Sequence, residues 1–366
     1  MNKNIMIQDK IRGSLIGGAA GDALGYSCEF LSDDGIMKRY GSQGIRRFDT
    51  SHWWNEGRTD AHALVSPGKA WISDDTQMTL YTAMGMLNAN KSGYQRMHSI
   101  CEAYVEWYFT QAGQIKRGYN QCWISDIPEL RTHRAAGHTC INSLKEIYKG
   151  HEPYNNSKGC GGVMRVAPIP LAFIADGGDI NEIARMAGDS AYITHKNPCA
   201  YIPAAIEACI IYRLGRDLTP TRDSFKNYIA EGISISREIY PRETECIDYL
   251  EHLIDKAIRF CNIPFPDIEC IYGLGEGWCG HDALAIAIYC AYKYFDDFEA
   301  ALIAAVNHKG DSDSTGAVTG NILGAAIGYD DIPQFFKDAL ELHDVILHVA
   351  DDLWRNQITK FEKTDN

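Results

Sequence analysis

The sequence has no uninterrupted apolar run of about 18 residues, the length needed to cross a membrane, and its first residues lack the apolar core of a secretory signal. It also lacks clusters of lysine and arginine, and its formal net charge is −13. Proteins that follow nucleic-acid phosphates need a basic face, so this composition argues against nucleic-acid binding. We therefore expect a cytoplasmic protein whose partner is another protein or a small molecule.

Closely spaced cysteine pairs are absent as well. The chain has twelve cysteines but no CxxC motif, a motif typical of zinc fingers and redox centres. Several cysteines, such as Cys209 and Cys290, lie in apolar helical segments, as free thiols do in a reducing compartment. The sequence therefore predicts free thiols rather than a structural zinc site or a disulfide framework.

Alternating strand patterns and fixed-period repeats are also missing, whereas apolar residues recur at helical spacing along most of the chain. We predict an all-α, compact, multi-helix fold in a single domain over residues 1–366, with a flexible segment at 1–10 and a long loop at 31–72. The 45% hydrophobic content is sufficient for one large core. The predicted helices are 9–25, 76–86, 99–111, 139–148, a pair within 179–214 interrupted at 194–198, then 223–237, 245–259, 281–294, 297–306, 316–328 and 333–353.

The most regular feature that is present is glycine at every fourth position of two predicted helices, from Gly13 to Gly25 and from Gly316 to Gly328. A glycine inside a helix costs about 0.5–1 kcal/mol relative to alanine. We infer that close backbone contact along each stripe offsets this cost. The two stripes therefore predict tight helix–helix packing.

The segment 307–316 places hard oxygen ligands in a turn before the second glycine stripe. Asp311 and Asp313 are two residues apart, so both carboxylates can converge on one cation beside the Ser314 hydroxyl. Oxygen-only ligands favour Mg²⁺, Mn²⁺ or Ca²⁺ over Zn²⁺. An EF-hand is excluded because its twelfth position requires glutamate and is here Ile322. The alternative is that these residues merely cap a helix.

A matching set, Ser73, Asp74 and Asp75, stands where another helix begins, and it too could be only a cap. Together the two sets offer five or six oxygen ligands, which suit a pair of hard cations better than one. Such a pair can orient a diol and a water, and it neutralises carboxylates that would otherwise repel. Glu29 follows the first glycine stripe and could activate water or bind a cation, or it could be a solvated loop residue.

A glycine-rich loop contains Gly159, Cys160, Gly161 and Gly162, and His195 lies at a helix break. The N–H groups of the loop could form a nest for phosphate oxygens. His195 could donate a hydrogen bond to a phosphate or a ribose. A simple tight turn and a capping histidine are the alternatives.

Taken together, five segments resemble the ADP-ribosylglycohydrolase family, in order and over most of the chain. Five motifs in register are far more specific than any one of them. The segments are GSLIGGAAGDALGYSCEF at 13–30, SDDTQMTL at 73–80, GCGGVMRVAP at 159–168, TH at 194–195 and GDSDSTGAVTGNILGAAIG at 310–328.

The resemblance implies an all-α fold with a cleft that binds two divalent cations, Mg²⁺ or Mn²⁺. It implies catalytic roles for Glu29, Asp74 and Asp313, and it implies that the Gly159–Gly162 loop and His195 hold the diphosphate and ribose of ADP-ribose. The implied metal ligands are Ser73, Asp74, Asp75, Asp311, Asp313 and Ser314. The chain departs from the family pattern where Ser73 and Ser314 replace threonine, Cys160 replaces asparagine, and His281-Asp282 replaces an acidic pair.

The implied activity is removal of ADP-ribose from modified protein side chains, with arginine as the expected acceptor. In that reaction the two cations hold the ribose 2′- and 3′-hydroxyls. A bound water attacks the anomeric carbon through an oxocarbenium-like transition state, and Glu29 or one of the aspartates handles the proton. Glu106 and Asp126 are candidates for contacting the guanidinium.

Two alternatives stay open. One is an immunity protein that neutralises an ADP-ribosylating toxin, either by removing the modification or by binding the toxin through its N-terminus and the His52-Trp53-Trp54 segment. The other is a non-catalytic structural relative, against which the complete ligand set argues.

Overall fold

The computed structural model describes residues 3–51, 66–89, 93–112 and 122–362. Within these ranges the chain is helical, without strands and with two isolated β-bridges, Ala70–Leu340 and Gly159–Cys279. This confirms the predicted all-α class. The α-helices are α1 Lys3–Tyr26, α2 Asp33–Tyr40, α3 Asp74–Asn88, α4 Gly93–Gln111, α5 His138–Tyr148, α6 Pro168–Leu171, α7 Ile180–Tyr192, α8 Pro198–Arg216, α9 Arg222–Ile239, α10 Thr244–Phe260, α11 Asp267–Tyr272, α12 Gly280–Lys293, α13 Phe298–Val306, α14 Ser312–Ile327, α15 Phe335–Asp338 and α16 His343–Arg355.

Helices α1 and α14 pack antiparallel along their glycine stripes, which confirms the predicted close contact. A Cβ atom on Gly17 would lie less than 3.0 Å from the Gly320 carbonyl oxygen, and one on Gly21 would do the same against Gly316. Any larger residue would force the two backbones apart. The conformational cost of the glycines is therefore offset by backbone-to-backbone packing.

This pairing fixes which residues meet at the end of the helix pair. The Ser312 hydroxyl donates a hydrogen bond of 2.9 Å to the Gly25 carbonyl oxygen. Glu29 follows four residues after Gly25, and Asp311 and Asp313 flank Ser312. The glycine register therefore brings Glu29 from the start of the chain next to two aspartates from its far end.

The other helices form the core around this pair. Helices α13 and α16 lie against α1, while α8, α12 and α13 lie against α14, and α3 contacts both. Fully buried side chains such as Ile11 and Leu323 fill the space between them. None of the described helices combines the length and the apolarity needed to cross a membrane.

Two predictions for the first part of the chain are wrong in detail. Residues 3–10, predicted as flexible, belong to α1. Lys10 is buried there, and its ammonium group donates hydrogen bonds to three carbonyl oxygens at the ends of α8 and α14, those of Leu214, Ala325 and Ala326. The predicted loop 31–72 contains α2, whose first turn is capped by the Ser32 hydroxyl. Residues 52–65 lie outside the described residues.

The single helix predicted over 333–353 is instead two helices, α15 and α16. The chain turns between them with Leu342 in the left-handed region at φ 58°. The Glu341 N–H donates to the Ala70 carbonyl oxygen at 3.0 Å, and the Glu341 carboxylate pairs with Arg134 at 2.9 Å. These long-range partners, which helical periodicity cannot reveal, explain the break.

Candidate functional site

A cavity of about 910 Å³ opens where the C-terminal end of α1 meets the N-terminal ends of α3 and α14. Its volume is in the range that holds a ligand of nucleotide size. Ten of the twelve residues predicted for the site line it: Glu29, Asp74, Asp75, Gly159, Cys160, Gly161, His195, Asp311, Asp313 and Ser314. Ser73 and Gly162 are the two that do not.

The aspartates of the late segment are held by the start of α14. Asp311 is the N-cap residue, and one of its carboxylate oxygens accepts from the Ser314 N–H at 3.3 Å. Its other oxygen lies 2.7 Å from the Cys160 thiol, which donates to it. The Asp311 N–H donates to the Glu276 carbonyl oxygen at 2.9 Å. Both the backbone and the carboxylate are therefore fixed at the cavity wall.

The aspartates of the early segment are held by Asp22, a buried residue of α1. Its carboxylate accepts from the Ser73 N–H at 3.0 Å, from the Thr76 N–H at 3.1 Å and from the Thr76 hydroxyl. This anchors the first turn of α3, so Asp74 and Asp75 face the cavity. The Ser73 hydroxyl caps the same turn by accepting from the Asp75 N–H at 3.1 Å, which explains why Ser73 lies behind the cavity wall.

The carboxyl groups of Glu29, Asp74, Asp75 and Asp313 carry raised pKa values. Burial, followed by the charges of Asp311 and Asp74, raises the pKa of Glu29 to about 10. Burial and the neighbouring carboxylates raise the pKa of Asp74 to about 8 and the pKa values of Asp75 and Asp313 well above the ordinary range. Each group disfavours ionisation of the others, because like charges are held together away from water.

Positive partners for this acidic cluster are missing within the described ranges. None of its five carboxylates lies within ion-pair distance of a lysine or arginine there, and Arg134 on the same cavity wall is paired with Glu341. Glu29 Oε2 and Asp75 Oδ2 are buried without any hydrogen-bond partner. Buried polar atoms are normally satisfied. Unpartnered oxygens among clustered carboxylates fit divalent cations that prefer hard oxygen ligands.

The glycine-rich loop differs from a phosphate nest in its first residues. The Gly159 N–H donates to the Ser157 hydroxyl at 3.3 Å, and the Cys160 N–H donates to the Trp278 carbonyl oxygen at 3.1 Å. These two N–H groups are therefore already used. Gly162 faces away from the cavity, since a Cβ atom there would lie less than 3.0 Å from Ala191 of α7.

His195 is held as a neutral imidazole. Burial and the charge of Arg165 lower its pKa to about 3. The Thr194 hydroxyl accepts from Arg165 at 2.8 Å, lies 2.8 Å from His195 Nδ1 and lies 3.4 Å from the Ala191 carbonyl oxygen. In the tautomer where the hydroxyl donates to Nδ1, the ring proton sits on Nε2. A Cβ atom on Gly159 would lie 3.1 Å from Nε2, so glycine leaves this ring nitrogen accessible.

Several important residues were missed by sequence reasoning. Asp22 could have been suspected, since it is the one acidic residue inside the first glycine stripe, whereas Trp278 on the cavity wall carried no local signal. The two suggested guanidinium ligands are not at the cavity. Glu106 is buried against Ser125, and Asp126 pairs with Arg131 at 2.7 Å.

Known proteins resemble this chain in sequence and in fold. The sequence profile of the ADP-ribosylglycohydrolase family matches residues 3–362. The ADP-ribosyl-(dinitrogen reductase) glycohydrolase of Rhodospirillum rubrum is 24% identical over 342 residues, which cover 92% of this chain and 92% of that protein. The ADP-ribosylarginine hydrolase Tri1 of Serratia proteamaculans is 25% identical over 357 residues, which cover 94% of this chain and 79% of that protein. A solved structure titled "ADP-ribosylglycohydrolase-related protein complex" has the same fold, with a TM-score of 0.61 at 22% identity over 97% of this chain and 100% of that chain.

Proposed function

Because the chain belongs to the ADP-ribosylglycohydrolase family, we propose that it hydrolyses the N-glycosidic bond between ADP-ribose and a modified arginine side chain. The observation that carries this proposal is the convergence of Glu29 and the four aspartates on one cavity of about 910 Å³. They come from both ends of the chain, and among the residues that the structure describes no lysine or arginine lies within ion-pair distance of them. Such an arrangement disfavours the fold unless it serves chemistry.

We assign the acidic cluster as the site of two divalent cations, Mg²⁺ or Mn²⁺. The residues that would hold them are Asp74, Asp75, Asp311, Asp313 and Ser314, with the Ser73 hydroxyl as the predicted sixth ligand. When bound, such cations neutralise the carboxylates and act as Lewis acids toward ribose hydroxyls and water. Of these six residues, Ser73 is the least suited to bind a cation, because its hydroxyl oxygen already accepts a hydrogen bond from the Asp75 N–H.

Glu29 is assigned the proton transfer. It is buried, lies beside Asp311 and Asp313, and has an oxygen without a partner. Bound cations would offset the neighbouring negative charges that raise its pKa, so Glu29 could ionise and receive a proton from a water in the cavity. The water oxygen forms a bond to the ribose anomeric carbon as the bond from that carbon to the guanidinium nitrogen breaks. The electron pair of the broken bond stays on nitrogen, and the arginine side chain leaves.

His195 is assigned to substrate binding as a hydrogen-bond donor through Nε2–H. Because burial and Arg165 keep it neutral, it can donate to a phosphate or a ribose hydroxyl but cannot supply positive charge. The glycines at 159 and 161 allow the substrate to approach the ring, since a side chain at either position would crowd it.

Arginine as the acceptor is supported by two observations. The Serratia relative is named an ADP-ribosylarginine hydrolase. At the cavity mouth, next to Glu29, the rings of Phe30 and Trp278 are stacked with centroids 6.4 Å apart, and the two residues are 74% and 41% exposed. A guanidinium group stacks well on aromatic faces, whereas a serine side chain has no group of this kind.

The test is release of ADP-ribose from purified substrates modified on arginine or on serine, with Mg²⁺, with Mn²⁺ or with a chelator. We expect cation-dependent release from the arginine substrate, and none by Asp311→Asn. Asp296→Asn changes an exposed aspartate and should leave the rate unchanged. Release only from the serine substrate would remove the arginine assignment, and no release from either substrate would remove the proposed function.

The alternative of toxin neutralisation gains no support from the described residues. The contact segment predicted for a toxin, residues 52–54, lies outside them.

A further inference from the structure

A second group of potential metal ligands lies in the first turn of α12, outside the acidic cluster. Cys279 is the N-cap residue of this helix, and His281 and Asp282 belong to its first turn. The thiol, imidazole and carboxylate donor atoms all lie within 4.8 Å of one another.

The spacing of these donors fits a tetrahedral metal ion. Zinc binds sulfur at about 2.3 Å and nitrogen or oxygen at about 2.0–2.2 Å, so neighbouring ligands of one ion are roughly 3.3–3.8 Å apart. The donor atoms of Cys279, His281 and Asp282 lie no more than 4.8 Å apart, so small side-chain rotations would bring them to this spacing. A soft thiolate combined with an imidazole favours a borderline transition metal over Mg²⁺ or Mn²⁺.

The state of His281 also points to a missing ligand. The side chain is only 8% exposed, and its Nδ1 atom is buried without a hydrogen-bond partner. A structural histidine in such a position normally satisfies both ring nitrogens. A metal ion would take one ring nitrogen and leave the other to a nearby oxygen.

A further thiol lies outside this group of three donors. Cys199 is in the first turn of α8, and its thiol is not among the donor atoms that lie within 4.8 Å of one another. Its Sγ atom is 3.1 Å from that of Cys246 in the first turn of α10. The N-terminal ends of α8, α10 and α12 therefore bring three thiols, one imidazole and one carboxylate to a single patch.

We propose that Cys279, His281 and Asp282 form a three-ligand site for a borderline divalent transition metal such as zinc, with the fourth position open to water. A metal ion at this site would affect the glycine-rich loop of the cavity, because Cys279 and Gly280 contact the backbone of that loop. Cys279 forms the β-bridge with Gly159, and the Gly280 N–H donates to the Lys158 carbonyl oxygen at 2.8 Å. A metal at Cys279 would therefore fix the backbone that carries the glycine-rich loop of the cavity.

Cobalt spectroscopy of the full-length protein tests this proposal, because Co²⁺ replaces zinc and reports its ligands. The protein is kept reduced with a phosphine and titrated with Co²⁺ in excess Mg²⁺, which occupies oxygen-only sites. We expect one equivalent of Co²⁺ to give thiolate-to-cobalt charge-transfer absorption and the intense visible bands of a tetrahedral complex. Cys279→Ser and His281→Ala should weaken binding by about tenfold or more.

Three variants make the result specific. Cys199→Ser removes a neighbouring thiol outside the ligand group, so it should retain both the binding and the charge-transfer intensity. Cys160→Ser removes the thiol beside Asp311, and Cys101→Ser removes a half-buried thiol elsewhere; both should keep the full spectrum. Absence of charge transfer in the unmodified protein would overturn the proposal. Its persistence in Cys279→Ser or its loss in Cys160→Ser would overturn it too. None of these readouts depends on hydrolase activity.

Discussion

At the scale of single residues, the cavity is a place where function opposes stability. Glu29 and the aspartates around it are nearly fully buried, and each raises the pKa of its neighbours. In a chain selected only to fold, such a cluster would be replaced by neutral side chains. Removing one of its charges should therefore have opposite effects on activity and on cation-free stability.

Asp75→Asn tests this directly. We expect hydrolysis to fall by about 100-fold or more, because a cation ligand is lost. Without cations the free energy of unfolding should rise by about 0.5–2 kcal/mol, since repulsion with Asp74 and Asp22 is relieved. Urea denaturation in a chelator measures the second effect. Asp126→Asn, at an exposed site, is the control. A cation-free protein destabilised by Asp75→Asn would contradict this account of the cluster.

Asp22 should behave differently, because it supports the cavity without lining it. Asp22→Ala leaves the Ser73 and Thr76 N–H groups buried without an acceptor, and we expect a loss of about 3 kcal/mol in the free energy of unfolding. Asp22→Asn should cost less, because its amide oxygen still accepts one of these bonds. Thermal unfolding followed by circular dichroism compares the two. Equal losses for both variants would argue against the anchoring role.

At the scale of helices, the contact between α1 and α14 sets the geometry of the site. The glycines could be recognised in the sequence because a four-residue repeat of helix-destabilising residues needs a packing reason. The register between the two helices could not be predicted from the sequence, because it depends on which glycine of α1 packs against which glycine of α14. Other elements escaped prediction for a similar reason: α2 is too short for periodicity, and the break at Leu342 depends on partners at Ala70 and Arg134.

Gly21→Ala is the sharpest test of the helix contact. Its Cβ atom would clash with the Gly316 carbonyl oxygen, and neither backbone can yield without moving the cavity. We expect a loss of about 3 kcal/mol or more in the free energy of unfolding, together with weaker cation binding.

The matched control is Gly35→Ala in α2, where the nearest atoms to the new Cβ would be at 3.4 Å, an ordinary contact distance. That substitution should be neutral or stabilising by up to about 1 kcal/mol, because alanine favours a helix. Calorimetry of both proteins gives the comparison. A mild effect of Gly21→Ala would mean that the two helices are less tightly packed than described.

At the scale of the whole molecule, cation binding should be linked to pH. Burial and neighbouring charges raise the pKa of Asp74 to about 8 from an ordinary 3.8, so the folded chain holds a proton that the unfolded chain releases. Without cations, this group therefore makes stability fall as pH rises from about 4 to about 8. Bound cations replace that proton, so they should stabilise the protein more at pH 8 than at pH 5.

Thermal unfolding at both pH values, with Mn²⁺ and with a chelator, measures this linkage. At a free cation concentration 100 times the dissociation constant, the expected stabilisation is about 2.7 kcal/mol per site. Asp74→Asn should reduce the difference between the two pH values. Equal stabilisation at pH 5 and pH 8 would show that protons and cations do not compete at this cluster.

Most of the cavity wall could be anticipated, because the acidic and hydroxyl residues form recognisable groups near helix starts. The contacts that hold these residues in position could not be predicted from the sequence. Asp22, the Arg134–Glu341 pair and the 276–280 segment act through contacts with residues far away in the chain. The same distance explains why Ser73, correctly placed within its motif, lies behind the wall rather than on it.

The pairing of Gly25 with Ser312 spans 287 positions, and this has a consequence for biosynthesis. A ribosome adding about 5–20 residues per second reaches the second partner roughly 15–60 s after the first. Throughout that interval the glycine stripe of α1 has no partner helix, and the nascent chain contains only the early part of its acidic cluster. We expect a prematurely terminated product to be inert, and newly made chains to depend on chaperones until the last third has emerged.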